Sequence, residues 1–181
     1  SYAIPLLGEH QLQNAATVLE AISVLRKQGW DIDDEAVESG LYSVAWPARF
    51  EVLHTDDPWF VLDGGHNPQC AAALRECLEH YFPDSKRVAL VGVLKDKDYK
   101  SIAATLAPLF DACVCVTPPS ERALPAEELA DLFKGSCREV CVADTVEDGV
   151  DLARDIAQER DAMVCAFGSL YICGQIRSCF G

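Results

Sequence analysis

From Leu12 to Leu25 the apolar residues fall at Leu12, Ala15, Ala16, Leu19 and Ile22, a three-and-four spacing that predicts an amphipathic helix. Gly29 supplies its stop, because glycine accepts the left-handed backbone that closes a helix. A second helix is expected behind Asp33, whose side chain can cap the first-turn amides, with Asp34 and Glu35 at the positive end of the dipole. Val37, Leu41 and Val44 would form its buried stripe. Trp46-Pro47 ends this helical piece, since a residue before proline is driven out of the helical region. A domain boundary is placed there, dividing a helical segment, 1–45, from a second domain, 46–181.

Past the boundary the period shortens. Phe50–His54 and Trp59–Leu62, joined by Thr55-Asp56-Asp57-Pro58, predict a hairpin. Val88–Val91, Ala112–Val116, Glu139–Val142 and Met163–Phe167 are short strands rich in β-formers. The helices between them carry buried faces at Cys70, Ala73, Leu74, Cys77 and Leu78; at Ile102, Leu106 and Leu109; at Leu129 and Phe133; at Val146, Val150 and Ala153; and at Leu170, Cys173 and Ile176. Near-continuous apolar strands alternating with helices imply an α/β fold: a doubly wound, mainly parallel, Rossmann-like sheet covered on both faces. The hairpin would add one antiparallel edge strand.

Composition narrows the function classes. Half of the 181 residues are apolar and 24% are charged, which suits one packed domain, or one domain with a piece of another, and argues against disorder. Fifteen basic against 29 acidic side chains give a net charge of −14, so no whole-protein footprint for nucleic acid exists. An anionic ligand must be held by a few local cations. No apolar run is long enough to span a bilayer and the opening residues form no signal peptide, so a soluble, cytoplasmic chain without a membrane partner is expected. The nine cysteines form no C-x-x-C pair and no zinc-spaced cluster; buried free thiols in a reducing compartment are expected, with no metal site.

Ligands of an open parallel sheet bind beyond the carboxyl ends of its strands, which singles out three turns. Asp63-Gly64-Gly65-His66-Asn67-Pro68 places a carboxylate at a strand end, glycines that permit close backbone approach, then an N-cap and a first-position proline. Gly92-Val93-Leu94-Lys95-Asp96-Lys97-Asp98 follows an apolar strand with two lysines, and Asp98 can cap the next helix. Phe167-Gly168-Ser169-Leu170-Tyr171 runs a strand into a capping serine with an anion-binding amide edge. Each also reads as ordinary structure: a well-made turn, a solvated loop and a simple cap. Their convergence on one sheet edge favours a shared pocket. There is no phosphate loop, no G-x-G-x-x-G and no G-x-S-x-G elbow. The residues by themselves thus give an acidic α/β domain with a polar crevice, and no reaction.

Four segments in order extend the reading: Gly8-Glu-His-Gln-Leu-Gln-Asn14-Ala-Ala, Trp46-Pro-Ala-Arg49-Phe-Glu51, Leu62-Asp63-Gly-Gly-His66-Asn67-Pro68 and Gly168-Ser169-Leu-Tyr. Together they resemble the folylpolyglutamate synthase and dihydrofolate synthase family of the Mur ligase superfamily. Ala48 stands where that family's W-P-G-R-F-E has glycine, and Gly65 where its D-G-A-H-N-P has alanine. The resemblance implies the end of a central ATPase domain, 1–45, followed by the carboxyl-terminal Mur ligase domain, with the P-loop and the magnesium ligands elsewhere in a longer chain. It implies ATP-dependent addition of L-glutamate to a folate, or to dihydropteroate, through an acyl phosphate, with ATP and Mg2+ as cofactors and the missing amino-terminal and central domain as partner.

The same resemblance puts Asn14 on the adenine side of ATP, Asp63 on the ribose hydroxyls and Arg49 near the phosphates, where a planar guanidinium suits oxyanions. His66 would sit near the phosphates or brace its turn. Lys97 and Ser169 would meet the glutamate carboxylates or the acyl phosphate; His66 and Lys97 are the only catalytic candidates. Arg49 has a plainer reading as an ion-pair partner of Glu51. Two other identities are a peptidoglycan-precursor ligase, whose turn more often reads D-Y-A-H-N-P, and a non-catalytic α/β binding module.

Overall fold

A computed structural model describes residues 1–54, 56 and 58–181. Contacts divide it into two compact units, Ser1–Pro47 and Ala48–Gly181.

The first unit carries α1 (Glu9–Lys27) and α2 (Asp34–Ser43). Asp33 caps α2 as expected, its Oδ1 accepting from the Ala36 amide at 2.6 Å. Gly29, at φ +93°, follows α1 in the left-handed region that only glycine enters without strain. The stripe expected on α1 needs correction. Leu12 is 61% exposed and Ala16 is exposed, while the buried residue of that helix is Gln11; Ala15, Leu19 and Ile22 are half-buried. On α2, Val37 and Leu41 are buried and Val44 is half-buried.

The second unit is a six-stranded sheet with helices on both faces. Its strands are β1 (Glu51–His54), β2 (Phe60–Asp63), β3 (Lys86–Val91), β4 (Ala112–Cys115), β5 (Glu139–Val142) and β6 (Ala162–Phe167), in the order β1-β2-β6-β3-β4-β5. β1 pairs antiparallel with β2 at one edge and the other neighbours are parallel, as the pattern predicted. Thr55 and Asp57 of the predicted hairpin connection lie outside the described residues. The helices are α3 (Pro68–Tyr81), α4 (Tyr99–Leu106), α5 (Ala126–Phe133), α6 (Val146–Arg160) and α7 (Leu170–Ser178).

Strand residues alternate between two cores, because successive side chains leave opposite faces. Phe60, Leu62, Val88, Leu90, Val114, Val164 and Ala166 pack with Val146, Val150, Ala153 and Ile156 of α6 and with Ile172 and Ile176 of α7. The opposite face buries Val61, Ala89, Cys113, Cys165 and Phe167, and α3, α4 and α5 supply Leu74, Leu78, Ile102, Leu106, Leu129 and Phe133 to the core. Leu170 departs from expectation: it is 52% exposed, and Ile172 takes the buried position at the start of α7. Six cysteines are buried, Cys70 and Cys141 are half-buried and Cys179 is exposed; all nine are free thiols. Among the described residues no helix is long and apolar enough to cross a membrane.

One polar device holds the sheet edge opposite the three turns. The Arg87 guanidinium donates to the carbonyls of Phe82 at 2.6 Å and of Leu78 and Leu109 at 3.4 Å, tying the end of α3 to the segment that follows α4.

Candidate functional site

The sheet register brings the three turns together. Asp63 at the end of β2 lies beside Phe167 at the end of β6, which lies beside Val91 at the end of β3. The chain leaves β3 into α4, whereas it leaves β6 into α7 on the opposite face, which makes this the topological switch point where ligands of open α/β sheets bind. The approach is close at Gly168. Its φ is +112°, and a Cβ there would stand 2.7 Å from the Gly92 carbonyl oxygen and 2.8 Å from Val93 Cγ1. Only glycine fits.

The Asp63 turn is saturated with internal bonds. Asp63 is only 9% exposed; its Oδ2 accepts from the Phe50 amide at 2.9 Å and its Oδ1 from the Gly65 amide at 2.7 Å. The Gly64 amide donates to the Ala48 carbonyl at 2.8 Å. Residues 48 and 50 are therefore stitched to this turn on either side of Arg49, and both adopt positive φ, +57° at Ala48 and +43° at Phe50. Arg49 is half-buried and makes no hydrogen bond or ion pair among the described residues. Its proposed partner Glu51 is engaged elsewhere: one oxygen pairs with Arg177 and the other accepts from the Ala48 amide at 2.8 Å. The ion-pair reading of Arg49 is thereby overturned.

His66 is half-buried, with Nδ1 3.1 Å from the Gly64 carbonyl oxygen. That oxygen can only accept, so Nδ1 is the donor and Nε2 is the ring atom left for other partners. Asn67 accepts from the Cys70 amide at 2.8 Å and Pro68 opens α3, so the cap read from the sequence is present. Gly65 is tightly enclosed: a Cβ there would lie 2.6 Å from Asp63 Oδ1 and 2.8 Å from Cys70 Cβ.

Ser169 is 2% exposed and caps α7, its Oγ accepting from the Tyr171 amide at 3.1 Å. Asp98 caps α4 through the Ser101 amide at 3.2 Å. Lys97, half-buried, donates its backbone amide to the Leu94 carbonyl at 3.2 Å, and its ammonium makes no hydrogen bond or ion pair among the described residues. Asn14 belongs to the first unit. It is exposed, and its Nδ2 donates to the buried Gln11 at 3.0 Å.

Sequence reasoning passed over a fourth turn on this edge, Thr117–Pro125 after β4. Arg122 there pairs with Asp96 at 3.0 Å and donates to the Tyr171 hydroxyl at 3.2 Å. The position of this turn at a strand's carboxyl end was the signal that could have found it. The buried thiols are inert by contrast. Burial, with the charges of Asp63 and Glu51 adding to it, pushes Cys173 up to about 12; burial and then Asp63 push Cys77 up to about 11. Neither supplies a thiolate at neutral pH.

Residues 48–170 match the family model described as Mur ligase, glutamate ligase domain. The chain belongs to this family. The matched residues include β1 through β6 and the Asp63 and Lys97 turns. The chain is 37% identical over 177 residues to the protein of Halobacterium salinarum named "Probable bifunctional folylpolyglutamate synthase/dihydropteroate synthase", covering 97% of this chain and 21% of that one. It is 34% identical to the dihydrofolate synthase/folylpolyglutamate synthase of Mycobacterium tuberculosis, covering 98% of this chain and 40% of that one. The solved structure of Mycobacterium tuberculosis folylpolyglutamate synthase complexed with ADP and AMPPCP superposes with a TM-score of 0.87 at 34% identity, over 99% of this chain and 42% of that one. The chain thus spans well under half the length of these relatives. Among its described residues no group of three or more His, Cys, Asp or Glu side chains is placed to hold a metal ion.

Proposed function

We propose that this chain is the carboxyl-terminal part of an ATP-dependent ligase that adds L-glutamate to a folate through an acyl phosphate. The observation that carries this reading is the single sheet edge where a braced nucleotide-type turn, a capped α7 and two uncommitted cations, Arg49 and Lys97, converge in a Mur ligase domain. In the reaction, a folate carboxylate oxygen attacks the γ-phosphorus and ADP leaves. The glutamate α-amino nitrogen then attacks the acyl carbon and inorganic phosphate leaves. Both steps depend on positioning and on neutralising oxyanion charge.

Arg49 supplies that charge to the phosphates, its backbone fixed on both sides by the Asp63 turn. Asp63 meets the ribose with the lone pairs that the Phe50 and Gly65 amides leave open. Asn14 serves the adenine side, and its amide oxygen has no partner among the described residues. His66 braces its own turn through Nδ1 and leaves Nε2 for other partners. Lys97 and Ser169 serve the glutamate carboxylates or the acyl phosphate. Mg2+ accompanies the nucleotide, and its ligands lie outside the described residues together with the P-loop; the central ATPase domain ends within 1–45. We place the protein in the cytoplasm, where its substrates are made.

The test is a ligation assay on the complete protein with ATP, labelled glutamate and either tetrahydrofolate or dihydropteroate, following phosphate release tied to product. Ligation with both acceptors makes it bifunctional; turnover only with a peptidoglycan precursor moves it to that branch of the superfamily. Arg49→Ala and Asp63→Ala are each expected to lower activity at least about tenfold, since charged hydrogen bonds contribute about 1.5–3 kcal/mol each. Full activity in both variants removes the nucleotide assignment.

A further inference from the structure

Arg122 joins three separate segments at the same sheet edge. Its Nη1 pairs with Asp96 of the loop after β3 at 3.0 Å, and its Nη2 donates to the Tyr171 hydroxyl in the first turn of α7 at 3.2 Å. The guanidinium also stands 5.9 Å from the centre of the Tyr171 ring, within cation–π range. The backbone around it is fastened to the same loop. The Lys95 amide donates to the Arg122 carbonyl at 2.8 Å, the Leu124 amide to the Val93 carbonyl at 3.0 Å, and Leu94 and Ala123 form an antiparallel bridge. Lys95 Nζ reaches the Glu121 carbonyl at 3.3 Å. Residues 93–95 and 122–124 therefore form a short two-stranded ribbon, from which the Arg122 side chain extends to α7.

Val93, Leu94 and Leu124 bury the ribbon's backbone in the core, but the Arg122 side chain lies outside it. Arg122 is 52% exposed at its side chain and Asp96 43%. An isolated ion pair so exposed contributes little to stability, so a three-way contact at a site mouth is better explained by what it positions. What it positions is specific. Asp96 immediately precedes Lys97, whose ammonium has no partner, and Tyr171 is the residue whose amide Ser169 caps. A planar guanidinium holds two partners at fixed angles, which the point charge of a lysine cannot do.

We propose that Arg122 is a positioning residue for the amino-acid substrate, latching the Lys97 loop to the Ser169 turn so that both present to one carboxylate-bearing ligand. This rests on the ligase reading above. The latch makes a prediction that a general packing role would not: the amino-acid site should suffer while the nucleotide site, braced separately by Asp63, does not.

In the complete protein, Arg122→Ala is expected to raise the KM for glutamate at least about fivefold with the KM for ATP within about twofold, and Arg122→Lys is expected not to restore it. In the 181-residue chain, Arg122→Ala is expected to speed amide hydrogen exchange at residues 94–97 at least about tenfold, with exchange in β3 and β6 unchanged. An unchanged glutamate KM, parallel rises for glutamate and ATP, or rescue by lysine overturns the substrate role. Unchanged exchange at 94–97 overturns the latch. A wild-type protein that ligates no glutamate at all sinks the ligase reading and the substrate role with it, and the exchange measurement then decides the latch alone.

Discussion

Two turns on the same sheet edge are built on opposite principles. At Asp63 both carboxylate oxygens accept backbone amides, the neighbouring glycines are enclosed, and the flanking segment is held at positive φ. At Lys97 the loop is half-open, held from outside by Arg122, and its cation has no partner. The first turn is braced through a buried carboxylate; the second is fastened by a short backbone ribbon and, beyond it, by the exposed Arg122–Asp96 pair. A buried carboxylate with two amide donors is costly to remove, whereas an unpaired ammonium on a half-buried lysine is not. The proposed ligase, which would hold a nucleotide at the first turn and admit an amino acid at the second, has a use for both.

The comparison can be broken by mutation. Asp63→Ala leaves the Phe50 and Gly65 amides without acceptors and is expected to destabilise the chain by about 3 kcal/mol, read from urea denaturation. Loss of under 1 kcal/mol would show that water replaces the carboxylate and that the turn is not braced by it. Gly65→Ala, which restores the residue of the family pattern, is expected to cost about 1–3 kcal/mol, because a Cβ would approach Asp63 Oδ1 to 2.6 Å and Cys70 Cβ to 2.8 Å. A neutral result would mean that Asp63 and Cys70 shift together at little cost. The smallest effect belongs to the other turn. Lys97→Ala should change stability by no more than about 0.5 kcal/mol, while raising the glutamate KM in the complete protein. A large drop in stability there would place Lys97 in the structural frame and erase the contrast.

Much of this frame is legible in the sequence. The caps at Asp33, Asn67, Asp98 and Ser169 are all present, because a short polar side chain before a helical pattern satisfies amides that nothing else reaches. The alternation of apolar strands and helices gave the parallel sheet and its antiparallel edge, since buried strands and covering helices have distinct periods. The misplacements share one cause. Leu12 and Leu170 are apolar at helical spacing yet exposed, because spacing marks a face and only packing decides which face is covered.

The sequence by itself determined the element types, the strand-end turns, the caps and the family, all of which depend on neighbours within a few residues or on motifs in order. Only the tertiary structure decided the pairings between side chains far apart in the chain. Glu51 pairs with Arg177, 126 residues away, rather than with Arg49 two residues away; Asp63 accepts from the Phe50 amide, 13 residues back; and Arg122 reaches Tyr171, 49 residues on. Such contacts follow from the strand order β1-β2-β6-β3-β4-β5, in which the last strand inserts between the second and third. A linear pattern records the period of each strand but not its place in the sheet, and that place determines which turns, and so which charges, meet.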